Sequence, residues 1–249
     1  MKLEGKKQLE VDDIILNYYE KGEGDTIIFI HGNGMSSKIF SKMHSYFSNK
    51  YNVIAIDSRG QGLSSTGKKR YSLSLFADDI IKFCSIKRIK KAIIIGYSDG
   101  ANIALLMAKK APKLIKKMVV ISGNFTVNGI HTWFILLIKV YKKILLNLKK
   151  YYRKSEEKIW LLNLMLEDIG IEENDLRNMN IPTLILCADL DVVYDFHTIA
   201  IHKNIKGSFL KKIRNCTHAN IVNKKNSLKE IDKFLLWESK KNNRNSISA

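Results

Sequence analysis

The chemistry-bearing residues of this 249-residue chain gather around Gly96-Tyr97-Ser98-Asp99-Gly100. A short apolar run at 92–95 precedes them, and a helical pattern at 102–110 follows at once. A strand, a sharp turn and a helix are expected, with Ser98 at the apex of the turn. Such a turn brings strand and helix backbones together, so only small residues fit two positions before and two after the serine. Gly96 and Gly100 meet that need. The helix then aims its unpaired N–H groups and the positive end of its dipole at the spot where an oxyanion would form. The chemistry implied is attack by a serine hydroxyl on a carbonyl.

A serine nucleophile needs a base, and the base needs an orienting carboxylate. On strands that alternate with helices these come in the order serine, acid, histidine, each in a loop after a strand. His218, in Arg214-Asn215-Cys216-Thr217-His218-Ala219, is the histidine that directly follows a late strand. His44, His197 and His202 fall on helical patterns, and His131 lies in a segment without strands. Two aspartates, Asp189 and Asp191, follow the strand at 183–188. Asp191 is preferred because it lies further beyond the strand end and can fold back toward a histidine loop, which leaves Asp189 as a turn or cap residue. A second oxyanion donor is expected from His31-Gly32-Asn33-Gly34, where the glycines let the backbone approach a ligand. The N–H of Asn33 is the candidate, paired with the N–H of Asp99. Gly32, Gly34, Tyr97 and Asp99 are the expected substrate contacts, while His31, Asp57 and Arg59 are expected to hold loops together.

The elements that must carry these residues are read from periodicity. Strands are expected at 6–11, 14–20, 26–30, 52–56, 92–95, 116–122, 183–188 and 208–213. Helical faces are expected at 38–48, 72–85, 102–110, 195–204 and 227–240. This alternation implies an α/β fold: a mainly parallel twisted sheet of about eight strands, helices on both faces, and ligands bound beyond the strands' carboxyl ends. Residues 1–124 and 181–249 form the expected core. The segment 125–180 breaks the alternation and contains a greasy, basic helix at 131–146. Lysines inside that helix argue against a membrane span, and a helical cap over the site's mouth is expected in preference to a membrane-surface helix.

Composition narrows the function classes. The formal charge is +18, but the 42 cationic side chains are mostly lysine, spread along the chain. Recognition of phosphates and bases favours arginine forks, so nucleic acid is not an expected partner. Three irregularly spaced cysteines, Cys84, Cys187 and Cys216, resemble buried thiols in a reducing compartment and suit neither a disulfide framework nor a zinc site. The N-terminal residues have no apolar stretch of the secretory kind, so a cytoplasmic location is expected. No metal and no organic cofactor are implied.

Together, His31-Gly32-Asn33-Gly34, the DSRGQGLS of 57–64, the GYSDG turn, Asp191 in ILCADLDVV and His218 in NCTHAN resemble the α/β-hydrolase family. The resemblance covers nearly the whole chain apart from the cap. GYSDGANIAL, KKMVVISGN and FHTIAIHKNIKGSFL most resemble the valacyclovir hydrolase-like branch, which cleaves esters of α-amino acids. That resemblance implies a Ser98, Asp191, His218 triad, an acyl-enzyme, a small-molecule ester substrate, and recognition of the substrate's ammonium by Asp99. Asp99 also suits the first turn of a helix on dipole grounds alone. The rivals are a non-catalytic or membrane-surface binding protein on the same fold, and a carbon–carbon bond hydrolase.

Overall fold

The computed structural model describes residues 3–148 and 155–245. Eight strands form one sheet: β1 (Lys6–Val11), β2 (Ile14–Lys21), β3 (Thr26–Ile30), β4 (Asn52–Ile56), β5 (Ala92–Tyr97), β6 (Ile115–Ile121), β7 (Thr183–Leu190) and β8 (Phe209–Thr217). Their spatial order is β1-β2-β4-β3-β5-β6-β7-β8. β1 pairs antiparallel with β2, and β2 pairs antiparallel with β4; every later pairing is parallel. The expected α/β architecture is the one observed.

The central strands read as unbroken apolar runs because both faces are covered. Alternate residues of β3 and β5 point to opposite sides. Ile28, Ile30 and Ile94 join one core with α2 (Leu73–Ile86) and α3 (Asp99–Lys110). Ile27, Phe29, Ile93, Ile95 and Tyr97 join the other with α1 (Ser41–Phe47) and α8 (Lys225–Asn245). The expected helix at 38–48 is split, with a 3-10 turn at Ser37–Phe40 leading into α1.

Two strands run further than their apolar patterns suggest, and both lead to the site. β7 continues to Leu190 and β8 to Thr217, across an irregularity between Ala188 and Leu190. Asp189 replaces the disturbed ladder: its carboxylate accepts the N–H groups of Asn215 (2.7 Å) and Cys216 (2.8 Å). It therefore fastens the edge strand directly before His218.

Between β6 and β7 the chain forms α4 (Thr132–Leu148), α5 (Ser155–Leu164) and α6 (Glu173–Arg177). The insertion expected at 125–180 includes residues 149–154, which lie outside the described residues. α4 and α5 meet through Ile138, Leu145, Ile159 and Leu162, a small cluster separate from the two large cores. α7 (Asp195–Asn204) follows β7. Its buried His197 accepts the Phe125 N–H at Nε2 (3.1 Å) and stacks on the Phe125 ring, which fixes the chain just ahead of α4.

Candidate active site

The turn after β5 holds Ser98 at φ +54° and ψ −123°, a strained conformation for a residue with a side chain. The Ser98 N–H, bonded to the Ile121 carbonyl at 2.8 Å, ties this turn to β6. The close approach is severe at both glycines. A Cβ on Gly96 would sit 2.1 Å from the Gly100 carbonyl oxygen, and one on Gly100 would sit 2.0 Å from that of Ile30. Gly100→Ala is expected to lower stability by about 3 kcal/mol, because neither backbone can yield without moving the other. Chemical denaturation of the variant beside the parent measures this.

His218 follows β8, and its ring lies between Ser98 and Asp191. Nε2 is 3.1 Å from the Ser98 Oγ, and Nδ1 is 2.6 Å from the Asp191 Oδ1. Burial of Asp191 would raise its carboxyl pKa, but hydrogen bonds from His218, Ser122 and the Ala188 N–H outweigh burial and hold it below the ordinary value. An ionised carboxylate only accepts, so Nδ1 carries the ring proton and Nε2 is left to accept one from the serine. Thus the structure brings Ser98, His218 and Asp191 together from the ends of β5, β8 and β7.

Partners that sequence reasoning missed hold this arrangement. The Ser122 hydroxyl donates to Asp191 Oδ2 at 2.6 Å, and the Ala188 N–H donates to the same oxygen at 3.0 Å. Ser122 stands directly after β6 with φ +52°, a position on the same rim of the sheet that could have signalled its role. Asn102 and Asn124 bond each other, and Asn124 reaches the wall of the cavity beside Ser98.

Three expected substrate contacts are placed otherwise. Tyr97 is fully buried in the second core, and its hydroxyl donates to the His218 carbonyl at 2.7 Å, so it positions the histidine loop from beneath. It points there because β5 alternates and Tyr97 falls on the face opposite the cavity. Gly32 does not line the cavity; a Cβ there would come 3.0 Å from the Ser98 Cβ, so its hydrogen lets the loop lie against the serine. Gly34 is also outside the lining, and its N–H is already donated to Gln61 Oε1 at 2.7 Å.

The loop of Asn33 is held from behind by the loop after β4. Asp57 accepts the N–H groups of Ser37 (2.8 Å) and Leu63 (2.9 Å), and His31 Nε2 accepts that of Ser58 (3.0 Å). Arg59 does not pair with Asp57. It is fully buried and bonds Asp79 and Asp13 instead, joining this loop to α2 and the β1–β2 turn. Among the described residues, neither the Asn33 N–H nor the Asp99 N–H has a hydrogen-bond partner.

A cavity of about 110 Å³ opens beside Ser98. Ser98, Asp99, Asn33 and His218 supply its polar wall; Met35, Ile130, Phe134, Met165 and Val193 supply much of the rest. Asp99 is buried, and its Oδ2 accepts a hydrogen bond from Asn33 Nδ2 at 2.8 Å. Burial pushes its carboxyl up to about 6, against the hydrogen bond from Asn33 and the field of His218. The same Asn33 amide donates to the Leu161 carbonyl of α5 at 2.8 Å, linking the helical insertion to the loop after β3. Phe134 brings α4 to the cavity wall.

A sequence model described as alpha/beta hydrolase fold matches residues 25–155. The chain is 33% identical over 115 residues to 2-(acetamidomethylene)succinate hydrolase of Mesorhizobium japonicum, a stretch covering 46% of this chain and 41% of that relative. It thus spans less than half of that relative's length. It is 28% identical over 223 residues to the human serine hydrolase BPHL, covering 82% of this chain and 76% of the relative. The meta-cleavage product hydrolase of Pseudomonas fluorescens shares the fold with a TM-score of 0.77 at 19% identity, over 92% of this chain and 97% of that one. The family match, which spans more than half the chain, and the parallel sheet with Ser98 at its strand-to-helix turn agree: the chain belongs to the alpha/beta hydrolase fold family.

Proposed function

We propose that the protein is a serine hydrolase that cleaves carboxylic esters through an acyl-enzyme, with Ser98, His218 and Asp191 as its triad. The observation that carries this reading is the unbroken chain of contacts from Ser98 Oγ to His218 (3.1 Å) and from His218 to Asp191 (2.6 Å). His218 Nε2 takes the hydroxyl proton as Oγ attacks the ester carbonyl. Asp191 steadies the imidazolium that forms. The tetrahedral oxyanion is held by the N–H groups of Asn33 and Asp99, then collapses as the alcohol leaves with the proton from Nε2. Water, deprotonated by the same nitrogen, frees the acid. The cavity's small size favours short acyl groups. Turnover of p-nitrophenyl esters of graded acyl length tests the reading, and absence of turnover for every ester overturns it.

Within this class, α-amino acid esters are the finer proposal, supported by Asp99. One carboxylate oxygen bonds Asn33, and the other has no partner among the described residues. A substrate ammonium there would meet a buried carboxylate and offset its charge beside the developing oxyanion. Asp99→Asn is expected to lower kcat/KM for a leucine ester about tenfold or more while sparing the hexanoate ester of the same alcohol. Because burial lifts the Asp99 pKa to about 6, the leucine preference of the parent should fade as pH drops through 6. The folded state binds this proton more tightly than the unfolded one, so Asp99 costs stability as pH rises from 3.8 toward 6. The melting-temperature gain of Asp99→Asn should therefore be larger at neutral pH than at pH near 4.

A second reading is hydrolysis of a carbon–carbon bond, suggested by the name of the meta-cleavage product hydrolase that shares the fold. Turnover of a vinylogous diketone without turnover of esters would favour it.

A further inference from the structure

α4 buries little of its own apolar surface. Only Ile138 and Leu145 are buried along its 17 residues, while Trp133, Leu136 and Leu137 are 59%, 61% and 57% exposed. Val140, Tyr141 and Ile144 continue the exposed series. These six recur at i, i+3, i+4 and i+7, so they form one stripe along the outer side of the helix, turned away from α5. Lys139 and Lys143 follow the same spacing and run along one edge of that stripe. In sequence, Lys149, Lys150, Arg153 and Lys154 come next, outside the described residues.

We propose that α4 docks in the plane of an anionic lipid surface, its apolar stripe in the headgroup–acyl boundary and its lysines on the lipid charges. An exposed apolar stripe of this length marks a binding surface. Three features favour lipid over other occupants. The lysines and the formal charge of +18 complement an anionic surface and oppose a second copy of this chain, which would bring the same charge against itself. A nucleic acid would answer the lysines but leave Trp133, Leu137 and Ile144 in water. Trp133 and Tyr141 are residues that sit well at the boundary between headgroups and acyl chains. No helix among the described residues is long and apolar enough to cross a membrane, so α4 lies on the surface.

The consequence for the site rests on the ester reading above. Phe134 belongs to α4 and lines the cavity beside Ser98, so docking holds a helix that walls the cavity at the lipid surface and places the site near amphiphilic esters that partition there.

Flotation with vesicles of phosphatidylcholine, with and without phosphatidylglycerol, tests the proposal. The full chain is expected to float with phosphatidylglycerol vesicles, less so as salt rises. The double variant Lys139→Glu with Lys143→Glu should lose at least about thirtyfold in partition, as expected for two lysine contacts with an anionic surface. Leu137→Ser with Ile144→Ser should also weaken flotation while remaining folded by circular dichroism. The proposal is overturned if the parent protein stays in the aqueous fraction with phosphatidylglycerol vesicles, or if neither double variant changes flotation. It is equally overturned if the parent is a dimer that Leu137→Ser with Ile144→Ser dissociates and vesicles do not. Hydrolysis of a water-soluble ester, read in parallel, reports on the site separately. Its absence alongside normal flotation would remove the ester reading and leave the docking surface standing.

Discussion

Ser98→Ala is expected to lower ester turnover by about a millionfold and to abolish labelling by a fluorophosphonate, with the fold intact. The size follows from the role. Alanine removes the oxygen that His218 Nε2 faces at 3.1 Å, and no other hydroxyl among the described residues bonds that nitrogen. The fold should survive because the variant keeps the Cβ and the backbone bond from the residue 98 N–H to Ile121. Whatever hydrolysis remains would come from the oxyanion donors and from binding alone. Gel-based labelling with a turnover assay decides the matter. Equal labelling of parent and variant would move the nucleophile elsewhere.

Asp191→Asn is expected to cost about ten-thousandfold in kcat while leaving the melting temperature within a few degrees. The surroundings of residue 191 fix the direction of the amide. The Ser122 hydroxyl and the Ala188 N–H both donate to Oδ2, so the asparagine oxygen is held on that side. Its NH₂ group then faces His218 Nδ1, where Oδ1 stood at 2.6 Å. Two donors cannot share that contact, so the ring is driven to the tautomer with its proton on Nε2 and can no longer take one from Ser98. The Val193 N–H, which donates to Oδ1 at 3.3 Å in the parent, would also be left facing a donor. A single-turnover assay of acylation measures the loss. Full activity in Asp191→Asn would mean that the carboxylate does not orient the base.

The expected effects fall on residues whose place in the chain was readable to different degrees. The central strands were legible because a strand covered on both faces has no choice but to be apolar throughout, and the runs around Ile28, Ile54, Ile94 and Val120 show it. The turn around Ser98 was legible for an equally local reason: only glycine fits where a Cβ would stand 2.1 Å or less from a backbone oxygen. His218 could be placed by chain order alone, and chain order narrowed its acid to Asp189 or Asp191.

The ends of β7 and β8 were not legible, because edge pairing there is carried by the Asp189 side chain and leaves no apolar pattern. Tyr97 and Ser122 were misread or overlooked for a related reason. Each acts through a contact with a residue at least 69 positions away, Tyr97 with His218 and Ser122 with Asp191.

The sequence by itself determined the strand-to-helix frame and the types of the reacting groups, since these depend on local sterics and on periodicity within a few residues. Only the tertiary structure decided which aspartate meets the histidine, that Asn33 joins Asp99 to α5, and that α4 turns its apolar stripe outward. Those outcomes depend on distances between segments far apart in the chain, which become fixed only when the sheet closes and the insertion packs over it.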